Sequence, residues 1–387
     1  MRICFTDVEL LPDNGLLKNI ELAGRVCYKS EDKITDTSAK SFVEMIRGRN
    51  HLSVLEHGSI YLVVPKENPL PLCKTPWCHI VEKDGKIYYY TNFRYICVTT
   101  PDLADIILKD DPLPEGIEFF TPTKEDPYRR WSFRIITNFK ISEQYVRHRV
   151  FSHSKESSRY CNYAKDRFNN EISIVVPVGS DGWFGSATGT IEGIDDKWYF
   201  TPDDTKSNKG RRDTLASCFP VDEKGRFILT LLEEAPVLNK ILSRCKLAEL
   251  DYLEEIQNGS KPEFARDFLT LFTKTEQVMT GFAIDWKDLI QKRSVPGVQK
   301  ESMYIATRIK KALIRAISGS SVKKDRNGFD SLYCDLPIGR DDIAPEPRPM
   351  RMVANPGEVF QRGLDEIMGE RARAWQDLAI GVHNRRQ

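Results

Sequence analysis

SEQYVRHRVFSHSKESSRYCNY, residues 142–163, packs Arg147, His148, Arg149, Lys155 and Arg159 among small hydroxyl residues. The density stands out because basic and acidic side chains otherwise nearly cancel, 57 against 56 over 387 residues. Guanidinium groups offer planar, bidentate donors that match phosphate oxygens, and Ser152, Ser154, Ser157 and Ser158 add hydroxyls that can complete the shell. The run therefore reads as a grip for a phosphate-bearing ligand, and equally as a solvated, ion-paired surface. A helix over residues 141–148 would put Gln144, Arg147 and His148 on one face through i, i+3 and i+4 spacing.

Immediately upstream, residues 131–139 alternate Phe133, Ile135 and Thr137 against Arg134, Ile136 and Asn138, the period of a strand, and residues 59–64 form a second β-rich run. Residues 16–49 hold two helical patterns, one through Leu17, Ile20, Leu22 and Ala23 and one through Phe42, Met45 and Ile46. Between the two strands, residues 65–128 carry many prolines, an Asp84-Gly85 turn and the strand-like run KIYYYTNFRYICV, which predicts an inserted hairpin with loops. Residues 178–223 are rich in Gly, Asp, Ser and Lys and predict a long exposed connection. From Arg226 onward helical periodicity dominates, over residues 229–256, 262–292 and 296–317, the last with Ile305, Ile309 and Leu313 on one face. A Pro- and Arg-rich stretch then leads to a final helix over residues 356–379, capped by Asn355. Pattern alone supports a mixture of strands and helices without a topology.

A net charge of +1 supplies no field that would draw the chain onto nucleic acid or an anionic membrane, so any anion must be gripped locally. Apolar runs fall far short of a membrane span and the N-terminus lacks signal-peptide character, which predicts a cytoplasmic protein. Nine irregularly spaced cysteines suit reduced thiols. Cys73, Cys78 and His79 lack the second pair that a zinc site needs, and no metal site is expected.

Arg147-His148-Arg149 followed by seven residues and Ser157 resembles the signature of the flavin-dependent thymidylate synthases. Gln144 stands three residues before it and Arg159-Tyr160 close it in the family's manner. HLSVLEH at residues 51–57, PEFARDFL at 262–269 and WKDLIQKR at 286–293 are similar to three further family segments, in the same order. Arg266 and Arg293 lie 27 residues apart, as the family's substrate-binding arginines do, and Gln299 and Glu301 stand where its A-Q-x-E element belongs. The chain departs from the family at Ser154-Lys155, where Asn-Glu is usual and Glu156 stands in by a shift of one. It departs also at Phe282 and Asp288, where asparagines are common, and at residues 294–297, where proline breaks the helix.

The resemblance implies an α+β fold, a twisted central and mostly antiparallel sheet flanked by helices, spanning residues 1–320 with insertions at about 65–128 and 178–223 and a C-terminal extension over 321–387. It implies reductive methylation of dUMP to dTMP with 5,10-methylenetetrahydrofolate, NADPH and FAD, in a homotetramer with sites at subunit interfaces. Arg293 is then the catalytic residue, stabilising charge that develops on the uracil. Ser53, Arg147, His148, Arg149 and Lys155 fall to FAD. Gln144, Arg147, Lys155, Glu156, Ser157, Ser158, Arg159, Arg266 and Arg293 fall to dUMP. Ser53 reads equally as a turn cap and His57 equally as a core histidine. Three rivals stand beside this reading: a phosphate-backbone-binding module, an enzyme for another uracil-containing substrate, and a non-catalytic paralogue that binds a uridine nucleotide.

Overall fold

The computed structural model describes residues 1–71, 75–165, 168–195, 197–295 and 297–318. Cys73, Pro296, the expected C-terminal helix over 356–379 and the extension over 321–387 lie outside the described residues. The chain opens with strands β1 (Arg2–Cys4) and β2 (Asp7–Leu10), helices α1 (Leu16–Tyr28) and α2 (Ser38–Gly48), and strand β3 (Ser59–Pro65). A hairpin of β4 (His79–Lys83) and β5 (Lys86–Asn92), helices α3 (Phe93–Thr99) and α4 (Pro101–Lys109), and the short β6 (Glu118–Phe119) follow. Next come β7 (Arg130–Asn138), α5 (Phe139–Tyr145), β8 (Ser152–Lys155), β9 (Ser173–Val175), β10 (Gly189–Ile194), β11 (Lys197–Pro202), α6 (Lys209–Cys218) and β12 (Phe227–Leu229). The remainder is α7 (Leu231–Glu234), α8 (Pro236–Gln257), α9 (Pro262–Ala265), β13 (Lys274–Phe282), α10 (Ala283–Arg293) and α11 (Lys300–Ser318). Among the described residues no helix is long and apolar enough to cross a membrane.

The fold is α+β, and its pairing is antiparallel except between β1 and β9. The strands divide among three sheets, ordered β12-β11-β10-β1-β9, β2-β7-β13-β8 and β4-β5-β3-β6. The second sheet carries the motif. One of its faces bears Phe133, Ile135 and Met279 and is covered by α5, α10 and α11, with Ile305, Ile309 and Leu313 fully buried as their spacing predicts. Against the other face Val278 meets Ala23 and Val26 of α1.

Local chemistry explains the strand-to-helix switches. Asn138 ends β7 and its side chain accepts a hydrogen bond from the Ile141 N–H, capping α5; Asn92 ends β5 and caps α3 through the Tyr95 N–H in the same way. The run expected to continue as strand through FRYICV therefore turns helical at Phe93. Residues 178–223, expected as an open connection, instead build β10, β11 and α6, because Phe184, Ile191, Phe200 and Leu215 all enter the core beside α8. The polar composition there belongs to the outer face. A larger correction falls on residues 262–292, expected as helical: Lys274–Phe282 is a central strand, paired with both β7 and β8. With cover on both faces it lacks the period-two alternation that reveals a half-exposed strand.

Candidate active site

The helix preceding the motif is pinned at several points. Ser142 on α5 donates to the Gln277 side chain of β13 at 3.1 Å, and the Tyr145 hydroxyl donates to the Ser302 carbonyl of α11 at 2.9 Å. The helix stops at Tyr145, short of the expected 148, because the His148 N–H bonds to the Tyr145 carbonyl and tightens the chain into a turn. A further turn from Phe151 to His148 delivers the chain into β8. Gln144 and His148 consequently meet one partner while Arg147, which was expected beside them, is exposed elsewhere.

That partner is Arg293, the last residue of α10, where a cation also complements the carbonyl end of the helix dipole. Its Nε donates to His148 Nε2 at 3.0 Å, its Nη2 to the Gln144 carbonyl at 2.9 Å and its Nη1 to Gln144 Oε1 at 3.4 Å. The guanidinium also lies 5.5 Å from the centre of the Tyr145 ring. Gln144 Nε2 in turn donates to Gln299 Oε1 at 2.8 Å. Burial, reinforced by the Arg293 charge, lowers the His148 pKa to about 4, so the ring is neutral at physiological pH and its Nε2 accepts from Arg293. Tyr145 and Gln299 complete this cluster. Tyr145 was not among the expected site residues, although a tyrosine one position past Gln144 on the same helix was the signal for it.

A second group forms on the chain leaving β8. Arg266 Nη1 reaches the Ser158 hydroxyl at 3.5 Å, and Arg159 lies 3.8 Å from the Glu263 carboxylate. Ser157 is fixed by its backbone, the N–H donating to the Cys27 carbonyl and the carbonyl accepting from Tyr160 and Cys161. Glu156 is buried, with one carboxylate oxygen taking Lys274 Nζ at 3.0 Å and the other the Tyr163 hydroxyl at 3.1 Å. Lys274 also reaches Glu276, which takes Lys29 at 2.5 Å and Arg134 as well. Lys29 can reach it because the residue closes α1 in the left-handed conformation, φ 49°, and so turns off the helix axis. Burial alone would raise the Glu276 carboxyl, but Lys274, Lys29 and Arg134 outweigh it and hold the pKa down to about 2.

The expected residues are therefore brought together in part. Gln144, His148 and Arg293 form one group, and Ser158, Arg159 and Arg266 stand in another with Ser157 and Glu156 beside them. Lys155 links the two elements of the motif by donating to Glu143 at 2.5 Å. Arg147 and Arg149 are exposed and make no hydrogen bond or ion pair among the described residues, and Ser53 is exposed at the start of the turn over Val54–His57 without a side-chain cap bond. His57 is a core histidine: fully buried, it bonds through Nδ1 to the Thr280 hydroxyl at 2.8 Å, and burial with the nearby Arg130 lowers its pKa to about 3. Phe282, at a position where the family often has asparagine, is buried against His79 at 4.6 Å between ring centres.

No curated protein matches the chain. Two solved structures resemble it, both of a UMP/dUMP methylase PolB from Streptomyces cacaoi, one bound with 5-Br dUMP and one with 5-Br UMP. Each is 14% identical with a TM-score of 0.33, and the alignments cover 81% of this chain and 93% or 92% of the other. Residues 129–317 match the family model described as thymidylate synthase complementing protein. That span begins at β7 and takes in the motif, β13, Arg293 and most of α11, so over the part of the chain that carries the Arg293–His148 cluster the sequence matches the thymidylate synthase complementing protein family, the flavin-dependent thymidylate synthases.

Proposed function

We propose that this protein methylates dUMP to dTMP, taking the one-carbon unit from 5,10-methylenetetrahydrofolate and the reducing equivalents from NADPH, with FAD as the redox cofactor. The observation that carries the reading is the way Arg293 is held. A guanidinium has five N–H donors, and three of them are spent on His148 and Gln144, so two remain for a ligand on a group that is already oriented. The 3.4 Å contact to Gln144 Oε1 is the weakest of the three and the readiest to exchange. Set against the edge of a uracil ring, Arg293 stabilises negative charge developing at N3 and O2 and so makes C5 more nucleophilic. Neutral His148 holds Arg293 without competing for that charge.

Arg159 and Arg266 take the phosphate of dUMP, with Ser157 and Ser158 as hydroxyl donors and Gln144 at the nucleoside. Glu156, whose two oxygens are already engaged, acts by positioning Ser157 rather than by touching the nucleotide. Arg147 and Arg149 have unclaimed donors in solvent, which fits the diphosphate of a dinucleotide, and Ser53 and Lys155 stand with them on the FAD side. FAD bound there supplies hydride chemistry that no side chain can. Arg293 and the Arg159–Arg266 pair stand in separate groups of this chain, which supports a site assembled from more than one copy. Phe264, Phe268 and Leu271, exposed by 62%, 47% and 61% around Arg266, support an apolar contact there, and a homotetramer is the assembly we assign.

The test is spectroscopic first. The purified protein should be yellow, or become so with FAD, and dUMP should perturb the flavin spectrum; a protein that FAD cannot reconstitute overturns the reading. Arg293→Ala should retain flavin and lose dTMP formation by about 100-fold or more. Full activity in that variant would remove Arg293 from its role.

A further inference from the structure

A cavity of about 520 Å³ opens between the β1–β2 link, the segment after β9, α6 and α11. None of Gln144, His148, Arg159, Arg266 or Arg293 lines it, and of the residues described around the candidate active site Lys274 alone stands at its wall. Its size is that of a small-molecule pocket. The wall is mostly apolar, from Phe5, Ile136, Val176, Pro177 and Val178.

Three cations stand at this wall, and they differ in what they have left to give. Lys274 is committed to Glu156 and Glu276, and Arg308 to Asp7 at 2.9 Å. Arg211 is different: its hydrogen bonds run only from Nη1, to the Ser186 carbonyl and to Asn208 Oδ1, both neutral acceptors. No carboxylate pairs with Arg211 among the described residues, and its Nε and Nη2 donors are unspent. A second observation points the same way. Thr6, a lining residue only 7% exposed, has a hydroxyl without any hydrogen-bond partner, a state that buried polar groups rarely keep.

The geometry points to this cavity as a second ligand site, for a small molecule that carries a phosphate or carboxylate on a ring-sized apolar body. Arg211 grips the anion in the planar, bidentate manner suited to either group, and the Phe5–Val178 wall covers the ring. Thr6 and the hydroxyl of Tyr304 supply neutral contacts between them.

Phenyl phosphate and benzoate are the probes, followed on the full chain by saturation-transfer NMR, with inorganic phosphate and benzyl alcohol as the separate halves. At least one of the two probes should bind in the millimolar range, and which one binds identifies the anion. Arg211→Gln should weaken it about tenfold, as loss of a charge-assisted bond does. Val178→Trp, which fills the cavity while leaving Arg211 in place, should abolish binding by an independent route. The signal should persist in an Arg266→Ala, Arg293→Ala double variant. The proposal is overturned if neither probe binds, if inorganic phosphate binds as tightly as phenyl phosphate, if both cavity variants bind like the wild type, or if the double variant loses the probe.

Discussion

Arg293 and His148 hold each other in complementary states, the arginine charged and the imidazole neutral, and the hydrogen bond between them exists only while that holds. Burial is the first cause of the lowered pKa, and the Arg293 charge adds to it, because protonating His148 would place two cations 3.0 Å apart. An NMR titration of the His148 ring should give a midpoint near 4. In Arg293→Ala it should rise toward the ordinary value of about 6.5, since one positive neighbour and part of the burial are gone. An unchanged midpoint would mean that the Arg293 charge does not act on the His148 ring. Because the folded value lies below the unfolded one, the stability tied to this ring is present above about 6.5 and is lost as pH falls through about 4. Gln144, His148 and Arg293 were legible in the sequence because each stands in a segment that resembles one of the family's, and folding brings the three into contact. Tyr145, Glu143 and Lys274 were not, since a tyrosine or an ion-pair partner becomes informative only once folding has chosen its neighbour.

At the scale of elements, β13 decides where the site stands: β8 and β7 flank it, α10 grows from its end, and Gln277 on it anchors α5. It was also the element least visible in the sequence, because a strand with partners on both edges and cover on both faces carries no amphipathic period. The helix starts were more legible than the reading made of them: Thr-Asn-Phe recurs at residues 91–93 and 137–139, and each asparagine caps the helix that follows. Near the end of β13, Gly281 lies under the Phe151 ring, where an added Cβ would come within 2.3 Å of Cδ1. Phe151 is buried and packs against Trp286, with ring centres 4.3 Å apart and planes tilted by 56°, so it cannot swing aside. Gly281→Ala should therefore destabilise the protein by about 1–3 kcal/mol, read as a lower midpoint in urea unfolding. An unchanged midpoint would show that the ring has room to move.

For the molecule as a whole, acid should act through the buried ion network. Glu276 titrates near 2 when folded against an ordinary value of 4.5, so its stabilisation is complete above about 4.5 and drains away as pH falls through 2. The contribution is roughly 3 kcal/mol. Asp285 works in the opposite sense: burial raises its pKa from 3.8 to about 7, so its share is present below 3.8 and is lost as pH rises through 7. Unfolding free energy measured from pH 2 to 8 should rise steeply up to about 4.5, and Glu276→Gln should flatten that acid limb while Asp285→Asn flattens the slope above it. If Glu276→Gln keeps the wild-type acid limb, the network is not what acid attacks.

The strand order β2-β7-β13-β8 has a consequence in time. The sheet formed by β3 to β6 uses residues 59–119 and can close as soon as that stretch has left the ribosome. The motif sheet cannot, because β13, residues 274–282, is translated after both of the strands it joins, β7 and β8. Until then β8 has no partner strand among the described residues, so a nascent chain arrested short of residue 274 would carry a finished N-terminal hairpin layer and lack the Arg293–His148 cluster.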